Sequence, residues 1–236
     1  MQQQVQFQDL GQRSYQPVWD FQEQLLKENA DIKAAFRKLG EVPPDQVPTM
    51  QHLLFVEHPP VYTLGKSGSM DNILMPLEQM EANGITFFKT NRGGDITFHG
   101  LQQIVGYPIL DLEKFGTDIG KYLRNLEEVI MMTIASFGIA GERSNGETGV
   151  WIEPGISGKE RKIAAIGVRC SRWITMHGFA LNVNTDLDYF KNIIPCGIQD
   201  KQVTSIEKET GGKVDFGEVK EQLKKNFEIV FNTQLT

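Results

Sequence analysis

Gly149-Val150-Trp151-Ile152, Lys162-Ile163-Ala164-Ala165-Ile166-Gly167-Val168 and the run from Trp173 to Val183 form the stretch on which the fold turns. The first two are short apolar runs rich in β-branched residues, joined across Pro154-Gly155-Ile156-Ser157-Gly158, where proline and glycine forbid a continuous helix. The third adds further strand with His177-Gly178 inside it. A mixed sheet is expected here.

Upstream, Ser14 stands as an N-cap before Tyr15, Val18, Trp19, Gln22, Leu25 and Leu26, whose spacing predicts a helix into the late twenties at least. Three prolines within 41–48 make that segment a surface connection. Leu53 to Val56 reads as a buried strand ended by Pro59-Pro60, Ile85 to Thr90 as a second, and Ile104 to Leu110 as a third. Thr117-Asp118 opens a helix with one apolar face that closes at Gly138, and Asp215 with Glu218 has capping-box spacing before a final helix. The expected fold class is α+β, with mixed sheets flanked by helices, in one domain over residues 1–236.

Two residues are candidates for chemistry. Lys162 opens an apolar run, so its amine is placed for partial desolvation and for service as a base. Cys196 lies in Ile194-Pro195-Cys196-Gly197-Ile198, where proline fixes the approach and glycine leaves the sulfur accessible, a seat for a nucleophile. On spacing alone, plainer roles compete: a small buried hydrophobe for Cys196 and a strand opening for Lys162. Arg92-Gly93-Gly94-Asp95-Ile96-Thr97-Phe98-His99-Gly100 is a glycine-rich turn whose paired glycines would admit a ligand between Arg92 and His99. Without a following Gly-Lys-Ser/Thr it is not a P-loop.

Composition narrows the classes. At 236 residues, 23% charged and 40% hydrophobic, the chain has no apolar run near the roughly 20 residues of a membrane span and no secretory leader, so a soluble cytoplasmic protein is expected. Two cysteines build no disulfide framework; Cys170 reads as packing. A net charge of −6 argues against a nucleic-acid groove. Lys159, Arg161, Lys162, Arg169 and Arg172, opposed only by Glu160, form a local basic segment suited to an acidic protein partner. His99 and His177 lack a third ligand at metal-site spacing, so no metal is expected, and His52 and His58 read as structural.

Taken in order, the motifs resemble the lipoyl(octanoyl) transferases of lipoate biosynthesis. Those that carry the likeness are Glu57-His58-Pro59-Pro60-Val61-Tyr62-Thr63-Leu64-Gly65, the 92–100 loop, Tyr107-Pro108-Ile109, Lys162 to Val168, His177-Gly178-Phe179-Ala180-Leu181-Asn182-Val183 and Pro195-Cys196-Gly197-Ile198. One departure stands out: after His99-Gly100 the family usually continues with proline, glycine and glutamine, and this chain has Leu101-Gln102-Gln103.

The resemblance implies a fold similar to the biotin and lipoate protein ligases. It also implies an acyl pocket lined by Arg92, Gly93, Gly94, Asp95, Ile96, Thr97, Phe98 and His99, by Ala165, Ile166 and Gly167, and by Gly178, Phe179 and Ala180, with Cys196 and Lys162 as catalytic pair. Its donor would be octanoyl-acyl carrier protein. Its acceptors would be apo lipoyl domains of 2-oxoacid dehydrogenase E2 subunits or the glycine cleavage H protein. A thioester is already activated, so no ATP or other cofactor is called for. The rival readings are an ATP-dependent lipoate-protein ligase, a thioesterase and a non-catalytic module that binds acylated carriers.

Overall fold

The computed structural model describes residues 2–38, 40, 42–194 and 202–236. In chain order the elements are β1 (Gln3–Gln12), α1 (Tyr15–Arg37), β2 (His52–Glu57), β3 (Val61–Leu64), α2 (Leu77–Ala82), β4 (Thr86–Lys89), β5 (Ile96–His99), β6 (Gln103–Ile109), α3 (Ile119–Ala135), β7 (Glu142–Ser144), β8 (Glu147–Ile152), β9 (Arg161–Ser171), β10 (Ile174–Asn182), β11 (Gln202–Val203), α4 (Ile206–Thr210), α5 (Phe216–Phe231) and β12 (Thr233–Leu235).

Among the described residues the strands make a nine-stranded mixed sheet, ordered β12-β1-β2-β6-β10-β9-β8-β7 with β11 added beside β9, and a three-stranded sheet β4-β3-β5. The alternation of side chains along each strand divides the large sheet between two cores. Leu53, Phe55, Ile104, Phe179 and Leu181 face α3 and α5. Leu54, Val56, Val105, Tyr107 and Ala180 face α1. The small sheet has its own core of Tyr62, Leu64, Met80, Ile96 and Phe98. Mixed sheets flanked by helices are the expected fold class, and the strand triplet β8, β9 and β10 stands where the apolar runs placed it.

α1 runs a full turn and more beyond its apolar signal because its buried stripe continues in polar residues. Asn29 exchanges hydrogen bonds with the Met50 backbone, and Lys33 reaches Asp111 at 2.6 Å. β1 escaped the sequence reading for a related reason. Its sequence is largely glutamine, only Val5 is buried, and the strand is held by backbone pairing with β2 and β12. Asp118 and Asp215 cap α3 and α5 through the amides of Lys121 and Glu218. Among the described residues no helix is long and apolar enough to cross a membrane.

Candidate active site

Lys162 is the second residue of β9, at the point where β10 has ended and β11 takes its place. Its Cα therefore has a register partner on each side, Trp151 of β8 and Val203 of β11. The Lys162 ammonium lies over the indole of Trp151, 4.5 Å from the ring centroid. Beside it, a Cβ on Gly149 would meet the Ala164 carbonyl and the Lys162 Cε, so a residue without a side chain leaves room for the lysine stem.

From Lys162 a cavity of about 340 Å³ runs beneath the 92–99 loop. Its walls come from β9, β10, β6 and the first residue of α1, Tyr15. Ala164, Ala165, Gly167, Gly178 and Ala180 open the space, and Val105, Leu123, Ile166, Val168 and Phe179 supply apolar surface. Gly93 and Gly94 line the cavity, and the loop's backbone also packs closely on the sheet. The Gly93 amide donates to Val168 O at 2.8 Å, and a Cβ on Gly167 would strike the Gly93 carbonyl, so these glycines let the loop lie on strand β9. Arg92 is buried and donates to Gly93 O and to the carbonyl and hydroxyl of Thr63, which ties the loop to the small sheet.

The polar side of the site is made of three hydrogen-bonded groups. His99 Nδ1 pairs with Gln103 Oε1 at 2.9 Å, Gln103 Nε2 donates to Asn182 Oδ1 at 2.8 Å, and Asn182 Nδ2 donates to Thr204 O. His58 bridges Arg13 O and the Tyr107 hydroxyl. His177 pairs with Asn91 Oδ1 through Nε2, and Asn91 in turn donates to Glu23. Burial drives all three imidazoles toward the neutral form: His58 down to about 4, His177 down to about 3, and His99 well below its ordinary value, with Arg92 opposing protonation of His99 and His177. Burial also pushes the Tyr15 hydroxyl up to about 12.

Of the residues expected around the pocket, all but one line this cavity, and Lys162 lies in its wall. The exception is Phe98, whose ring stacks on Tyr189 and packs against Tyr62 and Phe190 in the small-sheet core, because alternation along β5 turns it away from His99. Cys196 lies outside the described residues, as do Pro195, Gly197 and Ile198. Cys170, expected as packing, is exposed near the end of β9.

The basic segment also differs from expectation. Arg161 is taken by Glu153 and Glu209, and Arg169 by Glu23. The exposed Lys159 and Arg172 flank the two ends of the eleven-residue β9, which spans about 33 Å, so the five cations form no single patch. The cavity also takes Tyr15, Tyr107, His177, Glu147 and Asn182, which were not singled out for it. Tyr107, His177 and Asn182 stood inside motifs already noted; Tyr15 and Glu147 carried no local signal. Among the described residues no group of three or more His, Cys, Asp and Glu side chains is arranged to hold a metal ion.

Residues 14–228 match the family described as the lipoyl protein ligase A/B catalytic domain. An octanoyltransferase of Flavobacterium psychrophilum is 58% identical over 229 residues, covering 97% of this chain and 97% of that protein. Among solved structures, lipoate-protein ligase A bound with ATP is similar with a TM-score of 0.68 at 15% identity, covering 100% of this chain and 88% of the other. Biotin protein ligase from Aquifex aeolicus is similar at 0.50 and 13%, covering 98% and 70%. At those identities the two structures speak to the fold, and they match the expected one.

Proposed function

The chain belongs to the lipoyl protein ligase A/B catalytic-domain family, and from that premise we propose that it is an octanoyltransferase working through a thioester on Cys196. In this reading one acyltransferase domain over residues 1–236 takes octanoyl from octanoyl-acyl carrier protein and passes it to a specific lysine of an apo lipoyl domain. The observation that carries the proposal is Lys162, held by β8 and β11 in the wall of a cavity whose lining from β9 and β10 is largely small and apolar.

In the first half-reaction the Cys196 thiolate attacks the thioester carbonyl. The carrier's sulfur leaves as its C–S bond breaks, and Lys162 returns a proton to it. In the second, the Nζ of the lipoyl-domain lysine attacks the octanoyl-Cys196 carbonyl, Lys162 accepts the proton that nitrogen loses, and Cys196 leaves as thiolate. The products are an amide and a free carrier thiol, with no oxidant or nucleotide in the balance. Lining by Val105, Ala164, Ile166, Val168 and Phe179 suits an extended hydrocarbon; at about 0.8 kcal/mol per buried methylene, an octanoyl chain gains roughly 5 kcal/mol from burial. The chain on either side of 195–201 supports the pairing. Ile194 donates to Asn72 O and Phe190 lines the cavity, while Val203 pairs with Lys162 and lines it too.

Carrier steering rests on Lys159, next to the Lys162 end of β9, and not on Arg161, whose guanidinium is committed to Glu153 and Glu209. Intact mass measured after incubation with octanoyl carrier and no ATP tests the proposal. The wild type should gain one octanoyl group and pass it to an apo lipoyl domain, and Cys196→Ala should gain none. Acylation only when ATP is supplied would favour a ligase instead.

A further inference from the structure

We infer that Trp151 is a positioning residue for the transfer reaction, acting through Lys162; this rests on the reading of Lys162 just given. The Lys162 side chain runs along β8, with its Cε against Gly149 and its Nζ over Trp151. Trp151 is 2% exposed and is the direct register partner of Lys162. Its indole face sits 4.5 Å from Nζ, within the distance at which a ring quadrupole attracts a cation. Gly149 supplies the gap for the Lys162 Cε, with φ at +124°, a conformation open to glycine.

That gap is itself held in place. The Gly149 amide donates to Glu127 Oε1 of α3 at 3.1 Å, and the Glu127 carboxylate is fully buried and paired with Arg124 and Arg143. Helix α3 thus fixes the strand on which the lysine rests. Glu147 of β8 lines the same cavity, and the neighbouring Arg161 is engaged by Glu153 and by Glu209 of α4. The ring face holds Nζ at one place on the cavity wall, which a merely bulky residue would not.

The test compares Trp151→Phe, which keeps an aromatic face, with Trp151→Leu, which keeps apolar bulk and loses the ring. In Trp151→Leu, kcat should fall by about 2- to 30-fold with KM for octanoyl carrier unchanged. Trp151→Phe should keep kcat within about 2-fold of wild type, because a phenyl face still attracts a cation. A double-mutant cycle of Trp151→Leu with Lys162→Met, read by urea unfolding, should show non-additive stabilities.

A wild-type kcat in Trp151→Leu, or an additive cycle, overturns the inference. Should Trp151→Leu fail to fold, Trp151→Phe decides: a fall in kcat as large as that expected for leucine means the ring face is not what Lys162 uses. If Lys162→Arg transfers at the wild-type rate while the unfolding cycle stays non-additive, the catalytic reading of Lys162 has failed and the contact between the two residues has not.

Discussion

At Lys162 charge and basicity can be separated. Lys162→Arg keeps the cation beside Trp151 and cannot give up its proton, so transfer should fall by about 10²- to 10⁴-fold, the usual contribution of a positioned acid–base group. Full transfer by the arginine variant, measured with octanoyl carrier and apo lipoyl domain, would make Lys162 structural. A second residue, Gln102, stands where the family carries glycine, and its φ of 60° is the left-handed conformation that glycine adopts without strain. The turn holds because its amide donates to Glu57, its carbonyl accepts from Val183 and Asn184 and from the Thr185 hydroxyl, and its side-chain oxygen accepts from Asn184 at 2.9 Å. Gln102→Ala keeps the strain and loses the last bond, so it should cost about 1 kcal/mol in urea unfolding. Gln102→Gly should lie closer to wild type, since relief of strain offsets the lost bond; a glycine variant less stable than the alanine one would contradict this.

Among the elements, β9 and β10 were legible because their apolar alternation is strong and their connection short. Phe98 shows the limit of such reading: a motif names a loop, and only the pairing of β5 with β3 decides which of its side chains turn inward. The two-residue β11 and the short α4 were not legible at all, and they are held largely by side chains distant in sequence. Arg161 clasps Glu209 of α4 through two hydrogen bonds of 2.6 Å and also pairs with Glu153. Arg161→Met should therefore destabilise the protein by roughly 1–3 kcal/mol at pH 7. Hydrogen bonding from Arg161 holds the Glu209 carboxyl below its ordinary 4.5, so its share of that stability is present above about pH 4.5 and is lost as pH falls through the lower folded value. The gap between wild type and Arg161→Met should then narrow in acid, and a gap that stays constant from pH 7 to pH 3 would show that the clasp is not electrostatic.

For the whole molecule the buried imidazoles set the acid limit. His58 and His177 titrate near 4 and 3 in the folded chain against 6.5 when unfolded, so the unfolded state takes up protons first and stability is full above about pH 6.5. Between pH 7 and pH 5 each should remove roughly 2 kcal/mol, which urea unfolding across that range would detect; a flat profile would mean the two rings are reached by water. The sequence by itself determined the layered α+β class, the strand triplet and the two capped helices, because these are carried by local periodicity, by turn chemistry and by motifs short enough to read along the chain. Tertiary structure alone decided that α1 continues through Asn29 and Lys33, that a glutamine-rich segment becomes a strand, that Trp151 lies under Lys162, and that Arg161 and Arg169 are spent on internal partners. Each of those outcomes depends on a partner many residues away, on Asp111 for Lys33 or Glu209 for Arg161, and a polar side chain carries no local sign of which distant group will satisfy it.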